Sequence, residues 1–477
     1  MKHRFVLCMG ALLLTATLAA QTPSSEWQAG LDKMKNLIKT SPEQALDEAG
    51  VLLKGKNKKN VELVTTVARA YLDAGKLPEA ENYLELAKKA DNKDPKVSVL
   101  EGDIALARKD VGKACQLYEQ SIYFDPNYRE GYLKYAQAYK SASPSQAIEK
   151  LQQLKAIAPD CMEADKELAE VYYTNNRFGK AAETYAKFID TPVATEDDRL
   201  KYAFALFLNH DFEKSLQVAR KGLEKNARHA AFNRLAMYNS TDLKRYEEAE
   251  RYADAFFHAS DDAEYSYLDY RYYGALLSAL KKYDQAVAEY GKALEQDSTQ
   301  IDVWREISDA YEQNNDYAKA IAAYRNYYDA LAQDKKTPET LFQLGRLYYG
   351  EGTSTDTSAV QPADRAAALQ SADSVFALVA GQAPDSYLGD IWRARTNSAI
   401  DPETTAGLAK PYYEKVADLL QAKNDPKYNA ALIECYSYLG YYYLLKSNYP
   451  ASKEFWNKIL AIDPANATAK KALGGIK

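Results

Sequence analysis

The sequence is poor in the residues on which most enzymes and metal sites depend. Its 477 residues include only four histidines and four cysteines. The histidines do not stand at metal-ligand spacing, and there is no H-E-x-x-H motif. The G-x-S-x-G turn of a serine nucleophile and the G-x-x-x-x-G-K-[ST] phosphate loop are also missing. We therefore predict a non-enzymatic protein with no catalytic residue, no metal site and no cofactor.

An excess of positive charge is likewise missing. The chain has 61 lysines and arginines against 67 aspartates and glutamates, which gives a formal net charge of −6. The two signs are interspersed, so that no basic or acidic tail stands out. Binding to nucleic acid needs a basic face that neutralises phosphates. The composition therefore predicts no nucleic-acid partner.

Long apolar runs are confined to the first twenty residues. Residues 1–20, MKHRFVLCMGALLLTATLAA, join a basic start at Lys2 and Arg4 to an apolar run that ends in small residues. This pattern is typical of a secretory signal peptide and too short to favour a membrane-spanning helix. The alternative, a buried N-terminal helix, is disfavoured because the run has no polar face. We expect cleavage near Ala20, secretion across the inner membrane, a periplasmic location and no transmembrane segment in the mature chain.

The few cysteines do not form a recognisable framework. Cys115, Cys161 and Cys435 are odd in number and far apart, which fits neither a disulfide set nor a zinc site. We predict buried free thiols at these positions. Because Cys8 lies too early and no cysteine follows the apolar run, we expect no lipid anchor.

A repeated pattern runs through most of the chain. In IDVWREISDAYEQNNDYAKAIAAY, which starts at Ile301, the spacing W-x2-L-G-x2-Y is followed by A-x3-F. Trp304 follows Tyr270 by 34 residues, and Ala320 follows Ala286 by 34 residues, so that two adjacent copies are in register. The pattern resembles the tetratricopeptide repeat, a helix–turn–helix unit of about 34 residues. The resemblance implies an all-α fold, an α-solenoid in which stacked helix pairs form a right-handed superhelix.

The repeat frame also predicts how the chain is divided. After the signal peptide, residues 21–60 read as an N-terminal helical segment. Residues 61–334 hold about eight repeats, some degenerate, and residues 335–464 hold three more with irregular insertions. Asp334 to Pro338 is a possible joint, and residues 465–477 read as a capping helix. The largest insertion spans residues 350–371, and the sequence assigns it no role.

The resemblance further implies a concave groove, lined by the first helix of each pair, that holds a segment of another protein. By register, nine residues are candidates for this partner-binding surface: Lys166, Tyr173, Phe204, Phe207, Arg305, Asp309, Arg346, Tyr349 and Tyr441. Phe204 and Phe207 either bury against a neighbouring element or form an apolar partner patch. Tyr441 either packs on the neighbouring repeat or contacts a ligand.

Some proteins of this family clamp the C-terminal carboxylate of a partner with lysine, asparagine and arginine. This chain departs from that set, since Glu170 follows Lys166 by one turn and the next repeat places Phe204 there. We therefore expect a scaffold for a different protein partner, a component of envelope assembly or transport. The leading alternative is a glycan-binding protein that uses aromatic residues on the same scaffold. An enzyme whose site is the 350–371 insertion is a third alternative.

Overall fold

The fold is all-α in the residues that the computed structural model describes, 25–355 and 361–476. The chain separates into two compact units, and the division falls between Ala227 and Arg228. The predicted signal peptide, residues 1–20, lies outside the described residues, as does part of the 350–371 insertion. Within each unit, consecutive helices pair and the pairs stack on one another, which is the predicted α-solenoid architecture.

The first unit contains six helix pairs. Their helices are α1 (Ser25–Thr40), α2 (Pro42–Leu52), α3 (Val61–Asp73), α4 (Leu77–Ala90), α5 (Pro95–Ala107), α6 (Val111–Phe124), α7 (Arg129–Tyr139), α8 (Pro144–Ile157), α9 (Met162–Thr174), α10 (Phe178–Tyr185), α11 (Glu196–Leu208) and α12 (Phe212–Lys225). A short 3-10 helix, Gly55–Lys59, precedes α3.

The second unit contains six further pairs and a final single helix. They are α13 (Ala230–Asp242), α14 (Tyr246–Asp254), α15 (Tyr267–Ala279), α16 (Tyr283–Gln296), α17 (Asp302–Gln313), α18 (Tyr317–Ala330), α19 (Pro338–Thr353), α20 (Pro362–Gln382), α21 (Leu388–Ile400), α22 (Lys410–Lys423), α23 (Asn429–Leu445), α24 (Tyr449–Ile462) and α25 (Ala467–Gly475). A π-helical turn, Ala255–Ala259, follows α14. The joint predicted near Asp334 lies inside this unit, where a 3-10 helix, Gln333–Lys335, separates α18 from α19.

Local sequence signals explain where the helices begin. Pro144 opens α8 and Pro450 lies in the first turn of α24, where a proline sacrifices no helical hydrogen bond. The Asp110 carboxylate accepts from the Lys113 backbone N–H at 3.0 Å and caps α6. Thr195 and Asp198 form a capping box at the start of α11.

Several pairs are held together by a small residue on the first helix and an aromatic ring on the second. A Cβ added at Gly102 would lie 2.5 Å from the Tyr118 ring, and one at Gly274 would lie 2.6 Å from the Tyr290 ring. Gly440 meets Trp456 in the same way. Since only glycine leaves room for these rings, small residues of these first helices pack directly against large residues of the second helices.

The turns inside the pairs share an unusual backbone conformation. Gly75 has a φ of +72° in the α3–α4 turn. At the corresponding place in later pairs, φ is also positive although the residue is not glycine, namely at Lys109, Asn176, His210, Lys244, Lys281, Asn315 and Ser447. A side chain in this region carries steric strain that glycine avoids.

The three cysteines of the described chain are free and buried, as predicted. Burial raises the pKa of the Cys115 thiol to about 11 and that of Cys435 to about 12. A thiol with such a pKa remains protonated at neutral pH and is a poor nucleophile. These residues therefore belong to the packing of the helices.

Candidate functional site

The first helices of successive pairs form one face in each unit, which we call the first-helix face. Its charged side chains bind one another across neighbouring repeats. In the first unit, Arg69 binds Asp103 at 2.6 Å and Lys201 binds Glu170 at 2.9 Å.

The second unit repeats this arrangement. Arg271 binds Glu306 at 2.6 Å, Arg395 binds Glu434 at 2.8 Å, and Arg234 binds Asp269 at 2.7 Å. The hydrogen bonds that Arg271 donates to Glu306 raise the pKa of its guanidinium, and those that Arg395 donates to Glu434 do the same for Arg395. The face is therefore largely neutralised by its own ion pairs.

The four candidates in the first unit are held by neighbours. The Lys166 ammonium lies 2.7 Å from the Asp198 carboxylate of the next first helix, so it is not a free anion-binding group. The Tyr173 ring packs edge-on against Phe178 at 5.8 Å, and Phe207 packs against Phe212 at 5.8 Å. Phe204 is half-buried. Of the two alternatives for Phe207, the structure supports burial against a neighbouring element.

Five candidates lie in the second unit, and three of them are close together. Arg346 binds Glu312 at 3.1 Å, and Arg305 lies over the Tyr327 ring at 5.9 Å. Asp309 lies on the same helix as Arg305. Burial raises the pKa of the Asp309 carboxyl, and the positive charges of Arg305 and Arg346 oppose this rise. Thus Arg305, Asp309 and Arg346 form one polar cluster on α17 and α19.

The two tyrosine candidates lie apart from that cluster. Tyr349 packs edge-on against Trp392 of α21 at 5.2 Å. Tyr441 is 43% exposed on α23, whereas Tyr436 of the same helix is 4% exposed and Tyr443 stacks on Phe455. Tyr436 and Tyr443 therefore pack within their repeat, as predicted. That Tyr441 contacts a ligand stays a prediction.

An open apolar cleft of the second unit lies elsewhere, between two second helices. We call it the α16–α18 cleft; its volume is about 580 Å³. Its floor is the α17 face that carries Trp304, Ile307 and Tyr311, with Trp304 and Tyr311 half-buried. Its walls are formed by α16 and the turn after it (Val287, Gly291, Leu294, Glu295, Ser298) and by α18 (Lys319, Ala322, Ala323, Asn326).

Gly291 explains why this cleft is open. A Cβ at Gly291 would have no heavy atom of another residue within 4 Å. Gly291 stands five residues after Ala286, the small residue that packs its pair. The same position carries a charged side chain in several other second helices, as at Glu85, Glu119, Arg220 and Arg325, and a small residue in others, namely Gly50, Ala186 and Ala377. At Gly291 no side chain covers the apolar floor.

Sequence reasoning missed this cleft because it assigned binding to the first helices alone. The signal in the sequence was weak: Gly291 stands where several copies of the repeat, but not all, place a charged residue. The apolar lining and the volume are those of a pocket for side chains, since binding pockets span about 300–1,000 Å³ and are mostly apolar. The cleft can therefore bury apolar side chains of a ligand.

Two further surveys concern the residues with described positions. Among these, we find no group of three or more potential metal ligands. Over the same part of the chain, every helix is too short or too polar to meet the criteria for a membrane span.

Comparison with known proteins is consistent with the fold. Residues 66–129, 137–194 and 274–335 match the family model of the tetratricopeptide repeat. These three regions of the chain are thus tetratricopeptide repeats. Such repeats serve as scaffolds for protein interaction, and the matching family is not one of enzymes.

Several solved structures are similar to parts of the chain. The C-terminal part of a repeat-containing protein from Cytophaga hutchinsonii is 28% identical, with a TM-score of 0.47, over 57% of this chain and 99% of that one. A tetratricopeptide repeat protein from Parabacteroides merdae is 15% identical, with a TM-score of 0.35, over 52% and 98%. PilF from Pseudomonas aeruginosa is 14% identical, with a TM-score of 0.36, over 43% and 96%. No curated protein sequence matches the chain.

Proposed function

We propose that this protein is a non-enzymatic scaffold of the bacterial cell envelope that binds a segment of another protein in the α16–α18 cleft. The observation that carries the proposal is the apolar floor, on which Trp304 and Tyr311 remain half-buried beneath an open space of about 580 Å³. Aromatic residues in a pocket are the usual anchors of protein interfaces. The envelope location is supported by the signal-peptide pattern of residues 1–20.

The cleft fits a protein segment better than a glycan. Apolar side chains such as Val287, Leu294 and Ile307 form most of its lining surface, while Glu295, Ser298, Lys319 and Asn326 add polar groups. The apolar share favours burial of apolar side chains over binding of hydroxyl groups. The first-helix face is the other possible surface. Its charges are mostly paired with one another, so a partner there would have to displace ion pairs such as Arg346–Glu312.

The test is a selection of random 12-residue peptides displayed on phage against the purified protein. We expect the selected peptides to bind the parent and to lose binding to Gly291→Leu, which fills the cleft from α16. Gly381→Leu is the matched control, because a Cβ at Gly381 on α20 also meets nothing within 4 Å. Both variants should melt at or above the parent, since glycine weakens a helix interior by about 0.5–1 kcal/mol.

Two results would contradict the proposal that the segment binds in the α16–α18 cleft. One is a set of peptides that bind the parent and Gly291→Leu equally. The other is a set of peptides that still bind Gly291→Leu but fail to bind the double variant Arg346→Ala, Tyr349→Ala. That result would place the ligand on the first-helix face. Retention of the parent on a polysaccharide gel, abolished by the same double variant, would instead support the glycan alternative.

The location has its own test. We expect N-terminal sequencing of the protein from its own cells to begin near Ala20 or Gln21, in the periplasmic fraction. Recovery of the protein from the cytoplasmic fraction with Met1 intact would contradict the proposed envelope location.

A further inference from the structure

The charges at the rim of the α16–α18 cleft point to the chemistry of the bound segment. Lys319 binds Asp316 at 2.7 Å and lies over the Tyr311 ring at 5.3 Å, so its charge is already balanced. Lys292, one residue after Gly291, binds Glu289 at 2.7 Å and is directed to Tyr270. Neither lysine offers an unbalanced positive charge to a ligand.

The negative charge at the same rim is different. Glu295 lines the cleft and is exposed, and within the described residues its carboxylate takes part in neither a hydrogen bond nor an ion pair. Asp297 follows in the turn after α16 and adds a second negative charge, although its carboxylate accepts from Thr299 and Gln300. The rim therefore carries an uncompensated negative charge beside an apolar floor.

We infer that the cleft binds a protein segment in which a large apolar side chain lies within about one helical turn of a lysine or arginine. This inference rests on the proposed function and specifies the partner of the same site. The apolar side chain occupies the space above Trp304, and the cation pairs with Glu295. Ser298 and Asn326 lie on opposite walls and can bond the backbone of the segment.

Electrostatic complementarity of this kind selects among partners more than it adds affinity. An exposed ion pair changes an affinity by about two- to fivefold. The apolar anchor supplies most of the binding, and Glu295 rejects segments with an acidic residue beside the anchor. The preference should weaken as salt screens the pair.

The experiment repeats the peptide selection on three proteins: the parent, Glu295→Gln and Glu224→Gln. Glu224 is the matched control, because it stands nine residues after Ser215 on α12, as Glu295 stands nine after Ala286 on α16. On the parent and on Glu224→Gln, we expect lysine or arginine to be enriched within four residues of the apolar anchor. On Glu295→Gln, the anchor should remain and the basic preference should disappear.

Fluorescence polarisation of one selected peptide gives the affinities. Replacing its basic residue by glutamine should weaken binding to the parent about two- to fivefold and leave binding to Glu295→Gln unchanged. A selection on the parent without basic enrichment, or the same enrichment on Glu295→Gln, overturns the inference while the cleft remains the binding site. Peptides that do not distinguish the parent from Gly291→Leu overturn the proposed function itself.

Discussion

Strain at single residues recurs in the turns of this protein. Lys109 is exposed and has a φ of +66° in the α5–α6 turn, at the place that Gly75 occupies in the α3–α4 turn. A left-handed conformation costs a side-chain-bearing residue about 1–2 kcal/mol. Seven non-glycine residues in the described turns inside helix pairs adopt this conformation, so the strain is a property of the repeat.

Exchange of these two residues tests the strain directly. Lys109→Gly should stabilise the protein by about 0.5–1 kcal/mol, because relief of about 1–2 kcal/mol outweighs the entropy that glycine adds to the unfolded chain. Gly75→Lys should destabilise it by a similar amount. Urea unfolding followed by circular dichroism measures both. Shifts of the same sign would show that backbone strain is not the cause.

Two glycines of one helix pair should respond to alanine in opposite directions. Gly274→Ala places a methyl group 2.6 Å from the Tyr290 ring, which should cost about 1–3 kcal/mol through overpacking. Gly291→Ala meets open space and should stabilise α16 by about 0.5–1 kcal/mol. Urea unfolding followed by circular dichroism measures the change in stability of both variants. A loss of stability in both variants would mean that the space beside Gly291 is filled.

At the scale of the helix, ion pairs connect several first helices to the next first helix of the same unit. Arg271 of α15 contacts both oxygens of Glu306 on α17, at 2.6 to 3.1 Å, and both residues are half-buried. Spacings near 34 residues recur in these pairs, for example between Arg69 and Asp103. The register of the solenoid is thereby fixed by charge as well as by packing.

A double-mutant cycle measures one such tie. With Arg271→Met and Glu306→Gln, we expect a coupling of about 0.5–1 kcal/mol at low salt, which should decline as salt screens the pair. The exposed pair of Lys214 and Asp211 lies within one turn of α12 and should show no measurable coupling. Equal couplings for the two pairs would mean that the inter-helix tie has no special role.

The helices could be predicted from sequence because the repeat fixes which residues are small and which are large. Gly274 and Tyr290, sixteen residues apart, are enough to pair two helices. The fate of the candidate site residues could not be predicted in the same way. The register places Lys166 on the first-helix face, but its neutralisation depends on Asp198, 32 residues away in another repeat. Gly291 was overlooked because the repeat pattern leaves its position free.

Over the whole molecule, the aromatic residues are mainly tyrosine, with 39 tyrosines against 13 phenylalanines. Burial raises the pKa of many of these phenols, and nearby carboxylates raise it further. Tyr118 donates to Asp103 at 2.8 Å and Tyr238 donates to Asp269 at 2.7 Å. The protein is consequently sensitive to alkali in a way that a phenylalanine core would not be.

This composition predicts the pH dependence of stability. A phenol whose folded pKa lies above its unfolded value of about 10 binds its proton more tightly in the native state. Its stabilising effect is complete below about pH 10 and is lost as the pH rises further. We expect phenolate absorbance at 295 nm to rise in two stages, and the second stage, from buried rings such as Tyr118, to coincide with loss of helicity. Complete ionisation while the helices persist would contradict this.

The glycine that opens the α16–α18 cleft suggests how such a receptor originates. A duplicated unit does not need to acquire new groups in order to recognise a ligand. In the α16–α18 cleft it is enough that one position carries glycine where several other copies carry a charged side chain, because the apolar floor of Trp304, Ile307 and Tyr311 lies beneath it. The copies of a repeat within one chain can be compared with one another in the way that related sequences are compared. The copy that departs from the others is the first place to search for a binding site.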